Sequence, residues 1–88
     1  MNIDLRLRRV FSNLFSIEPD RIHNKLSAAD VDRWDSLQHL NLVIAIEEEF
    51  EITIDAEQIT EMLTYELIAL LITEKLAALG KWNLTPQN

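Results

Sequence analysis

The chain has 88 residues, 48% hydrophobic and 26% charged, with no cysteine and a formal net charge of −7. That length allows one small domain with a modest core. The missing cysteine excludes a disulfide framework or a thiolate metal site and suits a reducing cytoplasm, while the scarcity of Lys and Arg argues against binding nucleic acid. No apolar stretch approaches the ~18–20 residues that would span a bilayer. Arg6, Arg8 and Arg9 lie in an amphipathic pattern rather than before a signal-type apolar run. The expectation is a soluble, unexported monomer without membrane insertion.

The first helix is read from Ile3, Leu7, Val10, Phe11, Leu14 and Phe15, which recur at three- and four-residue steps behind Asn2 as a cap. It must end before Pro19, because the residue preceding proline is pushed out of helical geometry. Ser16 to Asp35 then form a long connection whose Ile17, Ile22, Leu26, Val31 and Trp34 suggest that it is pinned to the core. The second helix starts at Asp35 or Ser36, with Asp35 as N-cap and Gln38 in a capping-box-like position, and runs to about Phe50. The β-branched run Ile52, Thr53 and Ile54 breaks it. Asp55 caps a short third helix reaching about Glu61. Thr64 caps a fourth that carries Tyr65, Ile68, Leu71, Ile72, Leu76 and Leu79 and stops at Gly80. The fold class is therefore all-α, a four-helix bundle spanning residues 1–80, with Lys81–Asn88 as a frayed tail.

Charge is unevenly spread. Residues 1–27 hold five basic and three acidic side chains, whereas residues 28–66 hold eleven acidic ones and only Arg33 as a base. Such a segment attracts basic partners. On a helical wheel of roughly 100° per residue, Leu40, Val43, Ile46 and Phe50 form the expected core stripe of the second helix, with Leu42 at its margin. Leu37 and Ile44 fall outside it. Beside Glu47, Glu48, Glu49 and Glu51 they read as an apolar anchor with an acidic rim, a surface suited to docking; a merely solvated acidic turn is the plainer alternative.

Trp34-Asp35-Ser36-Leu37 resembles the acyl carrier protein family, which places a modified serine in an Asp-Ser-Leu triplet at the start of its second helix. The continuation through Leu42, Glu47, Glu48 and Phe50, the later Ile54, the long first connection and the short third helix extend the resemblance to about Leu79. It implies that a phosphopantetheinyl transferase, using coenzyme A and Mg²⁺, attaches 4′-phosphopantetheine to the Ser36 hydroxyl. Asp35 would cap the helix and help position the serine, and Leu37, Ile44, Glu47 and Glu48 would contact partners. The thiol of that group would carry acyl or aminoacyl intermediates between loading and transferring enzymes of a fatty-acid, polyketide or related pathway, without catalysis by the chain itself. Gln38, His39 and Asn41 stand where the best-known fatty-acid carriers are acidic, and Trp34 precedes the triplet. Both features resemble specialised carriers more than the housekeeping type.

Other readings compete. Ser36 with His39 has the composition of a nucleophile and base, although the wheel turns His39 toward the core margin. Asp30, Asp32 and Asp35 alternate like the start of a calcium loop but lack its glycine and terminal glutamate. An unmodified carrier-like bundle serving only as an interaction module would share the same fold. Ile54, Ile59, Met62 and Ile68 are candidates to line a cleft for a short acyl chain, with ordinary core packing as the simpler job of each.

Overall fold

The computed structural model describes residues 2–80. Helix α1, Ile3–Phe15, begins where the Asn2 side chain accepts the Leu5 N–H at 2.9 Å. Its three- and four-residue spacing buries Ile3, Leu7, Val10, Phe11 and Phe15 on one face, and Ser16 ends it in the left-handed conformation. Helix α2, Ser36–Phe50, crosses this face; α3, Ala56–Glu61, is short; and α4, Tyr65–Ala78, packs back on α1. Gly80 follows α4 at φ +74°, where a side chain would be strained. The tail expected to fray lies outside the described residues.

The long connection is ordered by its apolar residues, as its composition suggested. Ile22, Leu26, Val31 and Trp34 are buried and Ile17 is half-buried. A 3-10 turn at Pro19–Arg21, which the periodicity did not reveal, tightens its first part. Arg8 ties this turn to α1: its guanidinium donates to the Pro19 and Ile22 carbonyls at 2.6 and 2.9 Å while bonded to Asp4 at 2.9 Å. Farther on, the Leu26 and Asn24 carbonyls accept the N–H groups of Tyr65 and Glu66, stitching the connection to the start of α4. These bonds satisfy backbone groups that a loop lying over a core would otherwise leave unpaired.

The stripe expected on α2 is rotated. Leu42 is completely buried and Leu40 is 52% exposed, the reverse of their expected roles; Val43, Ile46 and Phe50 are buried as expected. The buried arc centres on Ile46 and Phe50, and α1 is the helix packed most extensively against α2. Arg6 of α1 clamps it there, its guanidinium bonded to the Glu49 carboxylate at 2.7 Å and stacked over the Phe50 ring at 5.0 Å. On α4, Leu71 is only half-buried and Leu79 is exposed, so the apolar pattern overstated that helix's core face.

Tyr65 joins both ends of the fold. Its buried hydroxyl donates to the Asp4 carboxylate at 2.7 Å. Burial, and then this hydrogen bond, push the phenol far above its usual range, so it remains a donor. The same bond, helped by Arg8 and opposed by burial, holds the Asp4 carboxyl below the ordinary carboxylate value. A group whose pKa is depressed by folding stabilises the fold above its unfolded value and loses that contribution as pH falls. The thermal midpoint should therefore decline as pH drops through about 4. Tyr65→Phe should cost ~1 kcal/mol at neutral pH and make the acid decline shallower. An unchanged acid profile in Tyr65→Phe would remove Asp4 from this role.

Candidate functional site

The amino-terminal turn of α2 is built around Asp35. Its extended backbone and carboxylate cap the helix, accepting the Gln38 N–H at 2.9 Å, and its carbonyl accepts the His39 N–H at 2.8 Å. Gln38 does not close the anticipated capping box; its side-chain oxygen takes the Asn41 amide instead. The reciprocal bond appears at α3, where the Gln58 side chain accepts the Asp55 N–H at 3.0 Å. Ser36, the first residue of α2, is exposed. An anion attached to its hydroxyl would lie at the positive end of the α2 dipole, beside first-turn N–H groups that have no helical acceptor.

Ser36 stands at the rim of an apolar groove of about 540 Å³. Its exposed edges are Leu40 of α2 and Leu63 just beyond α3, and Trp34, His39, Ile59 and Met62 lie deeper. Ile59 and Met62 thus face the cleft proposed for them, whereas Ile54 and Ile68 are buried in the general core. The groove contains no free base for Ser36. His39 accepts the Trp34 indole N–H at its Nδ1 (2.9 Å), and its Nε2 bonds the Ile59 carbonyl at 2.9 Å. With both ring nitrogens engaged, the Ser36–His39 dyad has no geometric support. Asp30 and Asp35 are likewise spent on the Ser27 and Gln38 N–H groups, and the described residues contain no metal-binding cluster.

The outer face of α2 presents Leu37, 67% exposed, and Ile44, 51% exposed, with Leu40 between them. The acids beside them divide by job. Glu47 is half-buried and accepts the Ile54 N–H at 2.8 Å, bracing the exit from α2. Glu49 is taken by Arg6. Glu48 is exposed. The acidic turn is therefore part brace and part outward charge, and Glu47 has an internal role that the docking reading did not anticipate. A clue to the other missed contact was present in the sequence: a buried indole N–H needs an acceptor, and His39 follows Trp34 by five residues.

Comparison with known proteins gives a consistent pattern. The chain is 32% identical over 65 residues to an acyl carrier protein of Buchnera aphidicola subsp. Schizaphis graminum, covering 74% of this chain and 82% of the relative. It is 27% identical over 73 residues to an acyl carrier protein of Thermosynechococcus vestitus, covering 83% and 90% respectively. The solution structure of a holo acyl carrier protein from Geobacter metallireducens superposes with a TM-score of 0.81 at 25% identity, covering 99% of this chain and all of that one. No protein-family model matches the chain.

The division among the acids is directly measurable by urea unfolding. Glu47→Ala leaves the Ile54 N–H unpaired and should cost about 1–2 kcal/mol. Glu48→Ala should shift stability by less than ~0.5 kcal/mol. Equal effects would contradict the separate roles drawn from the geometry.

Proposed function

The chain belongs to the acyl carrier protein family, and from that premise we propose that Ser36 receives 4′-phosphopantetheine through a phosphodiester to its hydroxyl. The observation that carries this reading is the placement of an exposed serine on the first turn of α2, capped by Asp35, at the rim of an apolar groove. When bound, the group supplies the thiol on which acyl intermediates are held as thioesters. The protein carries rather than catalyses.

The surrounding residues have distinct tasks in this proposal. Asp35 fixes the turn so that the Ser36 hydroxyl faces outward, and the first-turn N–H groups accommodate a phosphate diester. Leu37 and Ile44 form an apolar contact for the modifying transferase and the acyl-handling enzymes, while Glu48 supplies outward negative charge that attracts a basic partner. Glu47 supports this surface by holding Ile54 against the end of α2. The apolar groove shelters part of the cargo. The near-neutral start of α2, with Gln38, His39 and Asn41, and the Trp34 before the triplet support a dedicated fatty-acid, polyketide or related pathway over a general one.

Intact mass after incubation with coenzyme A, Mg²⁺ and a broad-specificity phosphopantetheinyl transferase tests the attachment. One phosphopantetheine increment is expected in the parent and none in Ser36→Ala. No increment in the parent with several transferases would leave the fold as an unmodified interaction module. In the same assay, Leu37→Ser should lower transferase kcat/KM about tenfold, the scale of a well-buried contact residue. Glu48→Lys should lower it more at low salt than at high salt because screening weakens exposed charges. Salt-independent kinetics in both parent and Glu48→Lys would remove Glu48 from docking.

A further inference from the structure

We propose that His39 is the specificity-determining residue of the groove beside Ser36, a neutral latch that limits the length of apolar chain the groove shelters. This rests on the carrier reading of Ser36. The argument begins with hydrogen-bond chemistry. An indole N–H can only donate, so the Trp34 bond requires an unprotonated Nδ1 on His39; the proton of the neutral ring is then on Nε2, which donates to the Ile59 carbonyl. The two rings lie nearly parallel, 16° apart with centroids separated by 6.0 Å. One side chain thus connects the end of the long connection, α2 and α3.

Its position gives that connection a consequence. Ser36, Leu40, Thr60 and Leu63 form the exposed rim, while Trp34 and Met62 are buried and His39 and Ile59 are half-buried. The latch therefore lies between the exposed rim and the buried Trp34 and Met62. None of the residues of α3 is fully buried, so apolar packing holds this six-residue helix weakly. The His39–Ile59 bond is the direct hydrogen bond between the groove walls among the described residues. A short chain tethered at Ser36 can lie against Leu40, Leu63 and the edge of Met62 with the latch closed. A longer chain must part His39 from Ile59 to reach the core behind them. Because both ring nitrogens are satisfied and the Thr60 hydroxyl donates to the Glu57 carbonyl, the deeper wall favours hydrocarbon over polar cargo.

Nitrogen-15 spectra of the unloaded protein should show His39 protonated at Nε2 and a protected Trp34 indole N–H. The parent, His39→Gln and His39→Leu are then loaded from butyryl-, octanoyl- and dodecanoyl-coenzyme A by the transferase. Thioester hydrolysis and amide exchange at Ile59 through Leu63 are measured for each. In the parent, protection against hydrolysis should stop increasing between octanoyl and dodecanoyl. In His39→Leu, dodecanoyl should gain roughly tenfold more protection, the scale of one lost neutral hydrogen bond, with faster amide exchange in the unloaded state. His39→Gln retains an acceptor and a donor and should restore the parent profile. Trp34→Phe, which keeps a ring but removes the donor, should shift the profile in the same direction as His39→Leu, keeping the test usable if the latter folds poorly. One chain-length profile shared by all variants, or an Nδ1-protonated His39 in the parent, overturns the latch. Failure to load any variant instead refutes the carrier reading and the length filter with it, while the unloaded spectra separately report the tautomer.

Discussion

The Phe11 ring is the contact on which the placement of the site depends. Its centroid lies 5.6 Å from Phe15, 5.4 Å from Trp34 and 5.2 Å from Tyr65, joining α1 to the end of the long connection and the start of α4. The Trp34 and Tyr65 rings meet it edge-on, a favourable arrangement for aromatic quadrupoles. Ordering a connection from Ser16 to Asp35 opposes folding by about 1–2 kcal/mol of backbone entropy per residue, so burial of Ile22, Leu26, Val31 and Trp34 has to offset it. Trp34 immediately precedes the cap of α2. Anchoring its indole therefore fixes where Asp35 and Ser36 emerge.

Electrostatics then divides the molecule differently from its net charge. Asp4, Asp30, Asp35, Glu47 and Glu49 each accept an internal hydrogen bond, and the α1 cations Arg6 and Arg8 are used to hold α2 and the connection in place. Much of the acidity is thus structural. The exposed Glu48 beside Leu37 and Ile44 contributes outward charge without supplying the helix clamp. Such a surface is suited to rapid, reversible encounters, because exposed charge accelerates approach more than it slows departure.

The helices were legible because their ends are marked locally: Asn2, Asp35 and Thr64 cap their helices through side-chain oxygens, and Gly80 occupies the left-handed turn after α4. Their buried faces were less legible. On α2, apolar Leu37, Leu40 and Ile44 lie outside the buried arc, and the apolar pattern alone does not decide between Leu40 and Leu42. On α4, Leu67 and Leu70 are exposed opposite Ile68 and Ile72, so apolar periodicity alone selects no clear side. Glu47's partner was hidden for another reason. It is a backbone N–H seven residues later, brought within reach by the left-handed turn at Glu51. The His39–Ile59 bond similarly depends on a loop and a second helix, although the need for an acceptor near Trp34 was already implicit in the residue types.

The attachment proposed at Ser36 would place opposing demands on one stretch of helix: an accessible serine, and shelter from water for what it carries. Helical geometry meets both within one turn. Ser36 faces outward, and His39, three residues later, reaches inward to the floor of the groove. Asp35 couples the two positions, since its carboxylate receives Gln38 and its carbonyl receives His39. The cap that presents the serine therefore also fixes the histidine. In the proposed role, rigidity at this turn would serve attachment, whereas α3 across the groove, which has no fully buried residue, would be the side that yields to cargo. Under that proposal, a fixed serine-bearing wall facing a yielding wall would let the chain change its contents without moving the site at which other enzymes find it.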